Sequence, residues 1–143
     1  MILLDTNVLS ELMRPRPGPG VEHWMAAQPD ASLFISAITE AELRYGVALL
    51  PPGKRRAGLA AMVAAMLAED FAGRILPFDS AAATAFAEIA AARRRAGRPI
   101  TQADAQIAAI AASRGAALAT RNVPDFDGCG IAVVNPWTEA SPS

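Results

Sequence analysis

Short apolar runs separated by helix-length stretches constrain this chain more than any other feature. Ile2-Leu3-Leu4, Leu33-Phe34-Ile35, Ile75-Leu76-Pro77-Phe78, Ala117-Leu118-Ala119 and Ile131-Ala132-Val133-Val134 each read as a buried strand. The stretches between them carry helix signals. Thr6 or Asn7 is placed to cap a helix through Leu12 or Met13. The loop 15–20, rich in Pro and Gly, precedes a helix over about 21–28 with Trp24 and Met25 on its apolar side. Ser36 suits the N-cap of a helix through about Leu49, stopped by Pro51-Pro52-Gly53. Lys54 to about Phe71 reads as one further helix, with Leu59, Met62, Val63, Met66 and Leu67 at helical spacing. These two helices are expected to pair as a hairpin. Ser80 is the expected cap of a long helix to about Ala96, with Gly97 as its stop. Thr101-Gln102-Ala103-Asp104 has the form of a capping box, with Asp in place of the usual Glu, and starts a helix ending near Arg114-Gly115.

Strands joined by helices imply a parallel sheet covered on both faces. The expected fold is therefore α/β: about five parallel strands flanked by helices, with a protruding helical hairpin. The 143 residues amount to one domain, spanning 1–143, with a frayed tail over 138–143. A hydrophobic fraction of 52% excludes a disordered chain. Acids or arginines interrupt every apolar run before it reaches the roughly 20 residues of a membrane span. The opening MILLDTN lacks the basic region of a secretory signal, so a cytoplasmic protein is expected. The single cysteine, Cys129, excludes an internal disulfide and a cysteine-based zinc site. A net charge of −1 excludes a general electrostatic binder of nucleic acid, but leaves nucleic acid open as a local substrate.

In such sheets ligands bind beyond the carboxyl ends of the strands, at a topological switch point. Asp5 follows the first strand directly, Glu42 lies in the helix after the second, Asp104 opens a later helix, and Asp125 lies in the loop after Ala117–Ala119. Each has an ordinary alternative: a helix cap for Asp5 and Asp104, an exposed helix acid for Glu42 beside Glu40, a turn residue for Asp125. Their joint placement is the argument. Several carboxylates drawn together without a compensating base repel one another, and a hard divalent cation resolves the repulsion. Thr6, Asn7, Thr120 and Asn122 stand beside the acids, suited either to orienting them or to capping and turn chemistry.

These residues resemble a known family. Ile2-Leu3-Leu4-Asp5-Thr6-Asn7-Val8-Leu9 is similar to the opening of PIN-domain proteins. Ser36-Ala37-Ile38-Thr39 with Glu42-Leu43-Arg44-Tyr45-Gly46, then Thr101–Ala108, then Ala119-Thr120-Arg121-Asn122 with Asp125-Phe126 and Val134-Asn135-Pro136-Trp137 resemble its later motifs, in order. The likeness is to VapC/FitB-type toxins of toxin–antitoxin pairs. It implies a Mg²⁺- or Mn²⁺-dependent endoribonuclease with Asp5, Glu42 and Asp104 as metal ligands and catalytic acids, Asp125 as a further catalytic acid, and Thr6 and Asn122 as supporting residues. It also implies an RNA substrate, a homodimer or a dimer of heterodimers, and a cognate antitoxin whose basic side chain enters the acidic site.

Arg121, Arg98 and Arg44 are candidate RNA contacts, and Arg14 and Arg16 could also rim the site. The run Arg93-Arg94-Arg95 with Arg98 reads either as a phosphate contact or as a solvated helix end that complements the dipole. His23 is expected at the surface, Cys129 in packing rather than as a nucleophile, and Trp24 and Trp137 in packing or at an interface rather than as base-stacking platforms. The competing readings are a non-catalytic PIN-fold binding module and a metal-dependent phosphatase using Asp5. The phosphatase usually wants a second acid where Asn7 stands.

Overall fold

The computed structural model describes residues 1–139. Five strands form one parallel sheet: β1 (Ile2–Leu4), β2 (Leu33–Ser36), β3 (Ile75–Leu76), β4 (Ala117–Ala119) and β5 (Val133–Val134). Their order is β3-β2-β1-β4-β5. Leu3 stands opposite Phe34 on one side and Leu118 on the other, and Ile35 stands opposite Ile75. Six helices connect and cover the strands: α1 (Thr6–Leu12), α2 (Pro19–Ala26), α3 (Ala37–Ala48), α4 (Lys54–Ala65), α5 (Ser80–Arg95) and α6 (Gln102–Arg114).

Alternation along the strands sends neighbouring side chains to opposite faces. Leu3 and Leu118 join Ile89, Ile107 and Ile110 under α5 and α6. Leu4 and Ile35 join Val8, Leu9, Val63 and Leu67 under α1 and α4. The sheet is thus buried on both sides, as a parallel sheet requires. Trp24 lies in the second of these cores. Among the described residues no helix is long and apolar enough to cross a membrane.

Several boundaries differ from the sequence reading for physical reasons. Asp79 caps α5 by accepting from Ala82 N at 3.0 Å, and Ser80 is already helical. Asp5 caps α1, ahead of Thr6 and Asn7. The segment after α4 continues as a widened π-turn over Met66–Asp70, closed by Phe71 N donating to Met66 O at 3.1 Å. Eight α-helical residues would carry Phe71 about 80° around the axis from Val63. The wider turn brings Phe71 back, and Val63, Leu67 and Phe71 are all buried. Ser36 and Thr101 do cap α3 and α6, and Gly97 and Gly115 stop α5 and α6 with φ of 73° and 64°. β5 keeps only its last two expected residues. Thr138 and Glu139 donate their backbone N–H groups to Asn135 O, so this part of the expected frayed tail is bonded. Residues 140–143 lie outside the described region.

Candidate active site

The chain runs β1, β2, β3 outward from the sheet's middle, then crosses back to place β4 on the other side of β1. A crevice therefore opens beyond the ends of β1 and β4. Asp5 stands there, 5% exposed, its N–H donating to Ala119 O at 2.9 Å. Both of its carboxylate oxygens are occupied. Oδ1 accepts from Thr6 N at 2.8 Å, which caps α1. Oδ2 accepts from the Thr120 hydroxyl at 2.8 Å and from Asn7 Nδ2 at 3.3 Å. Thr120 Oγ1 in turn accepts from Asn7 Nδ2 and Asn122 N, both at 3.1 Å. The ends of β1 and β4 are thereby tied through side chains.

Glu42 reaches the same place from α3. The Thr6 hydroxyl donates to its Oε1 at 2.6 Å and lies 3.1 Å from the buried Thr39 hydroxyl. Asp104 opens α6, its N–H donating to Thr101 Oγ1 at 3.2 Å. Asp5, Glu42 and Asp104 line one cavity of about 610 Å³ together with Thr6, Asn7 and Asn122. Burial pushes the Asp5 carboxyl above its ordinary value. Hydrogen bonds from Thr120 and Thr6 pull it down, and the charges of Asp104 and Glu42 push it up again. Asp104 is also raised, by burial first; Thr101 opposes the rise, Asp125 and Glu42 add to it, and Arg93 opposes it.

The other expected residues divide. Glu40 pairs with Arg44 at 3.1 Å, so Glu42 is the glutamate that faces the cavity. Arg44 and Arg98 are not among the lining residues; Arg98 pairs with Asp127 at 3.5 Å, and both arginines are exposed. Arg121 and Arg14 do line it. Asp125 lies in a 3-10 turn (Val123–Phe126), exposed and outside the lining, with its charge felt by Asp104. Arg93 corrects both readings of the arginine run. It is 8% exposed, neither solvated nor open to phosphate. Its Nε donates to Arg98 O at 2.7 Å, and its Nη1 donates to Asp125 O at 2.7 Å and Asp127 O at 2.9 Å. His23 is exposed and Cys129 is buried beside Arg93, as expected of each.

Two lining or supporting residues were missed. Thr39 follows from nothing in its own neighbourhood. Glu11, buried and lining the cavity, sits four residues after Asn7 on the same face of α1, a spacing that could have exposed it. Glu11 pairs with Arg14 at 3.0 Å and accepts from Trp137 Nε1 at 3.4 Å.

A parallel five-stranded sheet carrying carboxylates at the β1/β4 crevice is the setting in which relatives now speak. The PIN domain family matches residues 2–126, and the chain belongs to that family. It is 42% identical over 140 residues to a VapC ribonuclease, Y4jK, of Sinorhizobium fredii, covering 98% of this chain and all of that protein. It is 44% identical over 137 residues to the toxin FitB of Neisseria gonorrhoeae, covering 96% of this chain and 99% of FitB. Its fold superposes with a TM-score of 0.92 on a chain of FitAB bound to an IR36 DNA fragment, at 41% identity and full coverage of both.

Proposed function

We propose that this chain is a Mg²⁺- or Mn²⁺-dependent endoribonuclease, the toxin of a toxin–antitoxin pair, that hydrolyses RNA phosphodiesters at the Asp5–Glu42–Asp104 cavity. The convergence of three carboxylates from three separate elements on one cavity carries the reading. The kinship with a VapC ribonuclease and FitB supports it.

The donor set fits a hard divalent ion: all oxygen, charged, and mutually repelling, so that Asp5 and Asp104 are both pushed up in part by their neighbours. Among the described residues no three Asp, Glu, His or Cys side chains stand together closely enough to hold a metal ion as they are, so the three acids share a cavity without forming a ready-made ligand set. An ion held here would take few protein ligands at a time and keep several waters. When bound, such an ion lowers the pKa of a water and stabilises charge on a phosphoryl oxygen.

Asp5, Glu42 and Asp104 would hold the ion. Thr120 and Asn7 fix the rotation of Asp5, and Thr6 fixes Glu42, while Asp104 is placed through its backbone N–H on Thr101. Asn122 is held beside them through its N–H on Thr120. Asp125 adds negative charge behind Asp104 and is assigned no ligand role. An antitoxin arginine entering the cavity would pair with the same carboxylates and so compete with the ion. We assign to the antitoxin a groove of about 730 Å³ on the opposite side of α1, where Leu9, Leu12, Met13, Met25, Met62 and Met66 stand with Asp30, Glu69, Asp70 and Arg74 at its lining. We assign the toxin to the cytoplasm, as a homodimer or as a dimer of heterodimers with the antitoxin.

Asp5→Asn tests this reading. The variant keeps its circular dichroism spectrum and loses at least about 100-fold in RNA cleavage, since loss of a supporting partner alone costs about 10–100-fold. Undiminished cleavage by Asp5→Asn would remove Asp5 from the chemistry.

A further inference from the structure

The cavity that Asp5, Glu42 and Asp104 line is lined also by Glu11, Arg14, Arg121 and Trp137. We infer that Arg121, seated on Trp137, forms a stacking subsite for an unpaired base of the RNA strand beside the phosphate held at Asp5, Glu42 and Asp104. This rests on the ribonuclease reading and adds to it a residue that contacts a base rather than a phosphate.

The arrangement is built from both residues' backbones outward. The Arg121 guanidinium carbon lies 5.1 Å from the centre of the Trp137 ring. Asn7 Oδ1 accepts from Arg121 N at 3.2 Å, which links the subsite to the network around Asp5. The Asn135 side chain serves both residues, donating to Arg121 O at 3.5 Å and accepting from Trp137 N at 2.9 Å. Glu11 accepts from the indole Nε1–H at 3.4 Å and fixes the ring's rotation. Glu11 is itself engaged by Arg14 at 3.0 Å.

Arg121 forms no ion pair among the described residues, although its cavity contains four carboxylates. An exposed arginine beside acids ordinarily pairs with one of them. Here an aromatic face holds the cation instead, at little cost in charge, and leaves the outer side of the guanidinium open. Bases splayed from a single strand stack on arginine planes and aromatic rings, whereas a base in an A-form duplex is already stacked. A strand whose phosphate sits at the three carboxylates offers its neighbouring base to Arg121 in the same cavity, while the positive charge offsets the phosphates. Trp24, the other tryptophan, is buried in the core, so Trp137 is the indole that RNA would reach.

The test uses the full-length chain with Asp104→Asn, which halts turnover, in Mg²⁺ buffer. A fluorescein-labelled single-stranded RNA octamer is titrated and anisotropy is read. Adding Arg121→Ala weakens binding about tenfold, within the range of one lost base stack. Arg121→Lys restores only part, and a duplex of the same sequence is bound with less than about a twofold change. Quenching of tryptophan fluorescence by the octamer disappears in Trp137→Phe. Arg121 is exposed, so its variants fold, and their melting curves check this. Unchanged octamer binding by Arg121→Ala overturns the subsite. So does full rescue by Arg121→Lys, which would make the contact a point charge. Unchanged RNA binding with weaker antitoxin binding would reassign Arg121 to protein docking. Arg121-dependent binding in a chain that never cleaves RNA keeps the subsite and removes the nuclease reading. Cleavage and binding that ignore Arg121 do the reverse.

Discussion

Asp5 and Asp104 hold negative charge where burial and their own neighbours oppose it. A carboxyl whose native pKa lies above its unfolded value costs stability once it ionises. That cost is absent below the unfolded value of 3.8 and complete above the raised native one. The ion-free protein therefore loses stability as pH rises through this window, and a bound cation recovers it. At pH 7 in EDTA, Asp104→Asn should melt a few degrees above the parent, with the gap closing towards pH 4; a lower melting point at pH 7 would contradict the account. At this scale the acids were legible because each lies at a fixed offset from a strand end or helix start. Glu42 was separable from Glu40 by its position before Leu43-Arg44-Tyr45-Gly46, and the Glu40–Arg44 pair agrees. Glu11 and Trp137, by contrast, meet across 126 positions, and no local pattern encodes such a meeting.

Caps and clamps decide where elements stop. Asp79 and Ser80 are both good caps, and only the backbone chooses between them: Asp79 is extended, with φ −94° and ψ −172°. The π-turn was invisible because a widened turn keeps the same apolar residues in the same order. Arg93 was misread because three consecutive arginines at a helix end look solvated, and nothing nearby announces that one turns inward. Its guanidinium joins α5 to the backbone of the Asp125 loop. Hydrogen bonds to a charged group contribute about 1.5–3 kcal/mol each. Arg93→Met leaves three carbonyls without that partner, some of which water reaches. The expected loss is at least about 2 kcal/mol, or roughly 4–8 °C in melting temperature for a domain of this size. A melting curve matching the parent would mean the clamp is incidental.

The whole molecule places its chemistry through strand order. Parallel pairing was readable from the alternation of strands and helices. That β4 would add to the free side of β1 was not, because long-range pairing leaves no periodic trace in the chain. Yet that crossing opens the crevice and brings Thr120 onto Asp5. The methionine-rich groove lies on the other side of α1 from the acids, so the proposed partner surface and the proposed catalytic cavity can be altered separately. Met62 is 46% exposed in that groove. Met62→Glu should leave RNA cleavage intact and weaken retention of the coexpressed antitoxin about tenfold, a change of about 1.4 kcal/mol in affinity. Undiminished retention would place the antitoxin elsewhere. The central claim is that the Asp5–Glu42–Asp104 cavity cleaves RNA when it holds a divalent ion. The most direct measurement is RNA cleavage by the purified, antitoxin-free chain in EDTA, followed by titration with Mg²⁺ or Mn²⁺. Silence in EDTA, recovery on adding either ion, and no recovery in Asp104→Asn are the expected results. Cleavage that persists in EDTA, or that returns in Asp104→Asn as it does in the parent, would contradict the account.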